Sequence, residues 1–208
     1  MPNSFNLAFI LLAAGQGSRL GFRPKALLKK ESNLDSQTLL AHFAHIGATL
    51  NAKPFLVVTG FYHDQIEALA PKFAHCVRNF VDKPNADLSQ GDSARIALEN
   101  LPKDFDAVVI ALVDQAQIGV AEIRALQDAF THRPAPCEVV LPVMADERGN
   151  PVILSRKAVE LILAKPGLTP REWMDQHPDL VFKMNSKNRA YFDDVDTPDD
   201  LERYGLRF

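Results

Sequence analysis

The feature that constrains this chain most is an apolar run, Phe5–Leu11, that passes without a break into Leu-Ala-Ala-Gly-Gln-Gly-Ser-Arg-Leu-Gly-Phe-Arg-Pro-Lys at residues 12–25. Such a run reads as a strand buried on both faces, and strands of that kind belong to parallel sheets covered by helices. The loop that follows is rich in glycine and carries Arg19, with Lys25 shortly after it. Glycines let backbone N–H groups approach a phosphate closely, and the two cations neutralise its charge. The combination points to a nucleoside triphosphate as ligand.

Two common phosphate loops are excluded. The nucleotide-hydrolase loop requires Gly-Lys-Ser/Thr after a second glycine, and nothing here fits it. The dinucleotide fingerprint requires G-x-G-x-x-G/A; Gly15 and Gly17 supply its first two glycines, but Leu20 stands at the third. Pro24 would also interrupt a helix begun at that point. On glycines alone, a tight strand-to-loop turn explains the segment equally well. Arg19 and Lys25 are what favour a phosphate site.

At 208 residues, the expectation is one domain spanning 1–208, large enough for a substantial core. The net charge of −3 gives no global footprint for nucleic acid, so an acidic ligand must be held locally. No apolar stretch approaches the roughly 20 residues of a membrane span, and Phe5–Ala14 lacks the basic leader of a secretory signal. Cys76 and Cys137 form no metal or redox spacing. They read as two buried free thiols, which suits a cytoplasmic protein.

Strand-like and helix-like segments alternate. Strands are predicted at Asn6–Ala14, Pro54–Thr59, His75–Phe80, Ala107–Val113, Glu138–Val143, Pro151–Leu154 and near Leu180–Met184. Helices are predicted at Thr38–Asn51, His63–Leu69, Gly91–Leu101, Gly119–Thr131, Lys157–Leu163, Pro170–Gln176 and Pro198–Tyr204. The pattern implies an α/β fold with a mostly parallel sheet covered on both faces. Ligands of such sheets bind beyond the carboxyl ends of the strands. The glycine loop follows one strand end and Asp114-Gln115 another, so the two could share a function if their strands are neighbours.

Asp114, closing the run Ala107–Val113, is placed to hold Mg²⁺, which takes oxygen ligands and few carboxylates. It equally suits a turn or a helix cap. In Asp194-Val-Asp-Thr-Pro-Asp-Asp200, Thr197 fits an N-cap and Pro198 the first helical position, with Asp199 and Asp200 at the positive helix end. Asp196 is free of that capping and is a second metal candidate, with Asp194 its competitor. Arg148 and Asn150 sit in a Gly-Pro turn before a strand. Asp92 or Ser93 suits a helix cap. His42 and His45 share a helix face opposite the apolar one and read as polar surface. Trp173 and Phe182 read as packing.

The run Leu12–Lys25 resembles the signature loop of nucleotidyltransferases that join a nucleoside triphosphate to a phosphorylated acceptor. With Val57–Gly60, Asn79, Gly91, Ser93, Leu112–Gln115, Arg148–Val152 and Asp194–Leu201, the chain resembles the MobA-like nucleotidyltransferase family over nearly its whole length, and within it the molybdenum cofactor cytidylyltransferases. The resemblance implies a three-layer α/β/α Rossmann-like domain that binds CTP and Mg²⁺. It implies catalytic roles for Lys25, Arg19 and Asp114, and metal binding by Asp114 and Asp196. Nucleotide binding falls to Leu12, Ala13, Ala14, Gly15, Gly17, Ser18, Arg19, Lys25, Asn79, Gly91 and Ser93. Acceptor binding falls to Gln115, Arg148 and Asn150. The implied acceptor is the terminal phosphate of molybdopterin, with transient contact to a recipient molybdoenzyme, and with neither nucleic acid nor membrane as partner.

Departures from the family pattern fall on base or acceptor recognition. Ala116 stands where the family has Pro and Asn150 where it has His. Arg95 and Glu99 replace small residues, Lys30–Gln37 is a polar stretch, and Gly167-Leu-Thr-Pro-Arg171 stands in place of a Gly-Ala-Arg segment. Other acceptors, such as a sugar phosphate, therefore stay open. So does a non-catalytic nucleotide- or cofactor-binding maturation factor. A dinucleotide-dependent oxidoreductase is the least favoured reading.

Overall fold

The computed structural model describes residues 5–30, 37–79 and 89–208. In chain order the elements are β1 (Leu7–Ala13), β2 (Lys29–Lys30), α1 (Leu39–Thr49), β3 (Phe55–Thr59), α2 (His63–Leu69), β4 (Ala74–Arg78), α3 (Gln90–Glu99), β5 (Ala107–Leu112) and α4 (Val120–Thr131). There follow β6 (Val139–Met144), β7 (Glu147–Arg148), β8 (Val152–Ser155), α5 (Arg156–Leu163), α6 (Pro170–Gln176), β9 (Val181–Asn185), α7 (Pro198–Arg203) and β10 (Leu206–Arg207).

The main sheet runs β4-β3-β1-β5-β8-β6-β7, with β9 paired to β6. The pairs β1–β3, β3–β4, β1–β5 and β6–β9 are parallel, whereas β8 runs antiparallel to both β5 and β6. Every residue of β1 is buried, as its unbroken apolar run predicts. Its alternate residues feed two cores. Phe9 and Leu11 face Phe43 of α1, Ile66 of α2 and Ile123 of α4. Ala8, Ile10 and Leu12 face Ala97 of α3, Ile162 of α5 and Trp173 of α6. The sheet therefore lies between two helical layers, the expected α/β/α arrangement. Each fully buried Leu, Ile or Phe contributes about 1.5–3 kcal/mol of burial.

Local chemistry sets the helix starts. The Thr38 hydroxyl accepts from the Ala41 amide and opens α1. Thr169 and Glu172 form a capping box with Pro170 at the first helical position of α6, and Thr197, Pro198 and Asp200 repeat the device at α7. At α3 the cap is Ser89, with Asp92 closing the box, so the helix begins one residue before its expected start and Ser93 lies inside it.

Four further differences are local. The two-residue pair β2–β10 and the two-residue β7 are too short to carry a periodicity. The expected strand His75–Phe80 is Ala74–Arg78, and Phe80 falls outside the described residues. His42 is half-buried rather than polar surface: its Nε2 lies 2.7 Å from the Ile118 carbonyl, and burial pulls its pKa down despite that contact. Cys76 and Cys137 are free, as expected, but half-buried rather than buried.

Candidate functional site

The direction of winding reverses at β1: β3 and β4 lie on one side of it and β5 on the other. Leu12 pairs with Val58 on one side and Leu112 on the other, so the glycine loop and Asp114 leave the sheet side by side. This is the switch-point crevice where ligands of open α/β sheets bind. The strand adjacency that a shared function requires is present.

The loop is held open by its neighbours. Gly17 has φ +60°, and a Cβ there would stand 2.2 Å from the Arg23 carbonyl oxygen, so only glycine fits. At the end of β3, a Cβ on Gly60 would stand 2.6 Å from the Ala14 carbonyl oxygen. The Tyr62 hydroxyl donates to the Gln16 carbonyl at 3.1 Å. Among the described residues, the amides of Gly15, Gln16 and Gly17 donate to no backbone carbonyl. Amides without such a partner suit an anion. Leu12 and Ala13 are buried strand residues, Ala14 and Gly17 are half-buried, and Gly15 and Ser18 are exposed.

Lys25 heads a short 3-10 turn, Lys25–Leu27, and reaches back beneath the loop. Its Nζ donates to Asp114 Oδ2 at 2.8 Å and to Asp196 Oδ1 at 2.5 Å. Burial alone would lower its pKa, but the Asp114 and Asp196 carboxylates outweigh that and raise it, so it is a cation. Arg19, 73% exposed, reaches the other Asp196 oxygen at 3.2 Å. The Val195 amide donates to the Asp114 carbonyl at 3.0 Å, which fastens the Asp194–Asp196 segment to the end of β5. Burial, and then the charges of Asp114 and Asp196, push Asp194 up to about 6 against the opposing effects of Gln115 and Lys25. By area Asp194 is an exposed residue. The closeness of the other carboxylates is the firmer cause. Among the described residues, no group of three or more His, Cys, Asp or Glu is set to hold a metal by itself.

Residues 9–180 match the family model described as the MobA-like NTP transferase domain. This chain belongs to the MobA-like NTP transferase family. Bifunctional protein GlmU of Legionella pneumophila (strain Philadelphia 1) is 28% identical over 155 residues, 73% of this chain and 31% of GlmU. The chain thus spans about a third of the length of the GlmU proteins it matches. Nicotine blue oxidoreductase of Paenarthrobacter nicotinovorans is 28% identical over 209 residues, 93% of this chain and 94% of that protein. Among solved structures, Rv0371c of Mycobacterium tuberculosis H37Rv superposes with a TM-score of 0.71 at 24% identity over 98% of both chains. The same protein complexed with manganese gives 0.66 at 22% identity over 98% of this chain and 99% of that one. At those identities the likeness concerns the fold.

Within this MobA-like chain the remaining predicted residues separate into two places. Leu12, Gly91, Arg148 and Asn150 line a cavity of about 520 Å³, together with Thr169, Arg171, Met174 and Asp175. Its wall at α6 carried no signal in the sequence beyond the departure at Gly167–Arg171. Arg148 is paired across this cavity with Asp175 at 2.6 Å. Asn79 and Ser93 are buried, and the Asn79 side-chain amide donates to the Ser93 hydroxyl at 3.0 Å. Gln115 is only 1% exposed and donates to the Tyr191 carbonyl at 3.1 Å, which also accepts from the Asn150 amide at 2.9 Å. In this structure Gln115 is a strut under the site and does not face the cavity.

Proposed function

We propose that this chain transfers a nucleoside monophosphate from CTP to a phosphorylated acceptor of the molybdopterin kind, releasing pyrophosphate. The observation that carries the reading is Lys25. Its ammonium is held between two carboxylates at the switch point, beside a loop in which the Gly15, Gln16 and Gly17 amides donate to no described backbone carbonyl. Family membership supports nucleotide transfer, while the choice of CTP and molybdopterin rests on the resemblance of the quoted motifs. The two free thiols fit a reducing, cytoplasmic setting.

In this proposal an acceptor phosphate oxygen attacks the α-phosphorus. The new P–O bond forms as the bond to the β-phosphate oxygen breaks, and its electron pair leaves with pyrophosphate. The protein supplies position and charge stabilisation. The amides of Gly15–Gly17 cradle the triphosphate, Arg19 holds the departing pyrophosphate, and Lys25 stabilises charge developing at the α-phosphate. Arg148 and Asn150 orient the acceptor.

The donor set also fits a divalent cation. Two carboxylates face one point, now shared by an ammonium, and Mg²⁺ typically takes one or two carboxylates plus phosphates and water. Asp114 and Asp196 would hold it, and the manganese complex of the mycobacterial protein supports such a site. When bound, the cation neutralises phosphate oxygens.

The test is pyrophosphate release with Mg²⁺ across CTP, GTP, ATP and UTP, against molybdopterin and a set of sugar phosphates, with products identified by mass. Release with CTP and molybdopterin supports the proposal. Release only with another pair reassigns the substrates, and no release with any pair overturns nucleotide transfer. A redox reading is favoured by one observation, the near full-length match to nicotine blue oxidoreductase. Oxidation of NADH or NADPH by an organic acceptor, without pyrophosphate release, would establish it.

A further inference from the structure

We infer that Lys25 is the resident counter-ion of the metal locus: in the nucleotide-free chain its ammonium neutralises Asp114 and Asp196, and a divalent cation enters only by displacing it. The inference rests on the assignment of those two aspartates to the metal.

The local charge balance shows why a resident cation is needed. Asp114, Asp194 and Asp196 crowd one mouth, faced by Lys25 and Arg19. Arg19 is 73% exposed and its attraction is screened by water. Lys25 is 14% exposed and touches both carboxylates, so it provides most of the neutralisation. A divalent ion on the same oxygens would meet the ammonium at contact distance. Like charges that close are strongly unfavourable in a partly dry site. The two cations are therefore alternatives.

The exchange requires motion of one side chain only. The backbone of Lys25 is pinned by the Leu27 amide to the Pro24 carbonyl and the Leu28 amide to the Lys25 carbonyl, with Ala26 and Leu28 fully packed in the core. Lysine is a point charge on a flexible four-carbon stem, suited to swinging between partners on a fixed backbone. Once displaced, the ammonium needs a new anion, and a nucleotide phosphate beside the glycine loop provides it. Metal and nucleotide then bind with positive cooperativity, each strengthening the other by the same factor.

The probe is Mn²⁺ alone, titrated into the full chain without nucleotide and followed by the loss of its free-ion EPR signal. Lys25→Met and Lys25→Gln are expected to bind Mn²⁺ about tenfold or more tightly than the natural chain. They should melt lower without metal and recover on its addition. In the natural chain, Mn²⁺ should increase acetic anhydride labelling of the Lys25 amine several-fold relative to other lysines, read by peptide mass mapping. This arm needs no variant to fold. Equal or weaker Mn²⁺ binding by both variants, or labelling of Lys25 that does not rise, overturns the exchange. If Asp114→Asn in the Lys25→Met background leaves Mn²⁺ affinity unchanged, the metal assignment itself fails and the exchange falls with it. If Asp114→Asn abolishes binding but Lys25→Met brings no gain, the metal assignment stands and the exchange alone is wrong.

Discussion

The amide of Val195 donates to the carbonyl of Asp114 at 3.0 Å, and this one bond joins chain segments far apart in sequence just past the carboxyl end of β5. It places Asp196 so that Lys25 spans from it to Asp114. Asp114→Asn and Asp196→Asn are each expected to lower pyrophosphate release by about 10²–10³-fold, the usual scale for losing one charge-stabilising group. Far-UV circular dichroism should be unchanged. Asp199→Asn, exposed in the first turn of α7, is the control that leaves turnover intact. Full turnover in either site variant would remove that aspartate from the mechanism.

Two glycines of the loop should separate folding from binding. Gly17→Ala meets both a positive φ and the Arg23 carbonyl, and should cost about 1–3 kcal/mol, seen as a lower melting temperature. Gly15 has no atom within 4 Å of an added Cβ. Gly15→Ala should therefore melt like the natural chain and weaken nucleotide binding only, because the methyl group intrudes where the triphosphate lies. Calorimetric titration with CTP read beside the melting curve checks both. A Gly15→Ala chain that binds CTP normally would move the triphosphate off this part of the loop.

The glycine-loop end of the candidate site was legible because its parts are contiguous. The unbroken apolar run of β1, the glycines and Arg19 all lie in one stretch, and strand period and turn chemistry report such stretches directly. The start of α7 was legible for the same reason, since the Thr197 cap and Asp200 lie three residues apart. What connects distant residues left no pattern to read. Nothing local announces that the Tyr191 carbonyl accepts from both Gln115 and Asn150, or that His42 reaches Ile118. Gln115 follows a strand end and so reads as facing ligand, yet the turn after β5 folds it inward. Asp114 suits a turn or a cap on its own and Asp196 competes with Asp194, and nothing in the sequence announces that Lys25 joins Asp114 to Asp196.

The carboxylate cluster predicts a pH dependence in the metal-free chain. Asp194 has a folded-state pKa of about 6, raised above its unfolded value by burial and by the charges of Asp114 and Asp196. The sign follows: ionising it costs the folded state more than the unfolded chain. Its contribution to stability is fully present below the unfolded value, near the ordinary 3.8, and is lost as pH rises through about 6. Asp194→Asn should raise the melting temperature at pH 7.5 and change it little at pH 4. Melting curves of both chains in chelator at those two pH values check this. A stabilisation that is the same at both would show that the effect has another origin.

Arg95 and Asp175 should act on the same cavity through different means. Arg95, 13% exposed, has its Nη1 within 2.7 Å of the Leu168 carbonyl and 2.9 Å of the Lys165 carbonyl, while its Nε donates to Glu99 at 2.8 Å. Two of the chain's departures from its family are thus one device, since Arg95 grips the stretch that leads into Gly167–Arg171 and so sets where α6 stands. Arg95→Met removes charged hydrogen bonds worth about 1.5–3 kcal/mol. At about 2–4 °C per kcal/mol for a chain of this size, the melting temperature should fall by several degrees. Backbone hydrogen exchange should quicken at 165–171, and the KM for the acceptor should rise while that for the nucleotide holds. Asp175→Asn breaks a half-exposed pair with Arg148, which is worth only about 0–1 kcal/mol. It should leave melting nearly unchanged and still shift the acceptor KM, because it frees a guanidinium inside the cavity. An acceptor KM that follows stability in Arg95→Met and does not move in Asp175→Asn would place acceptor recognition away from α6.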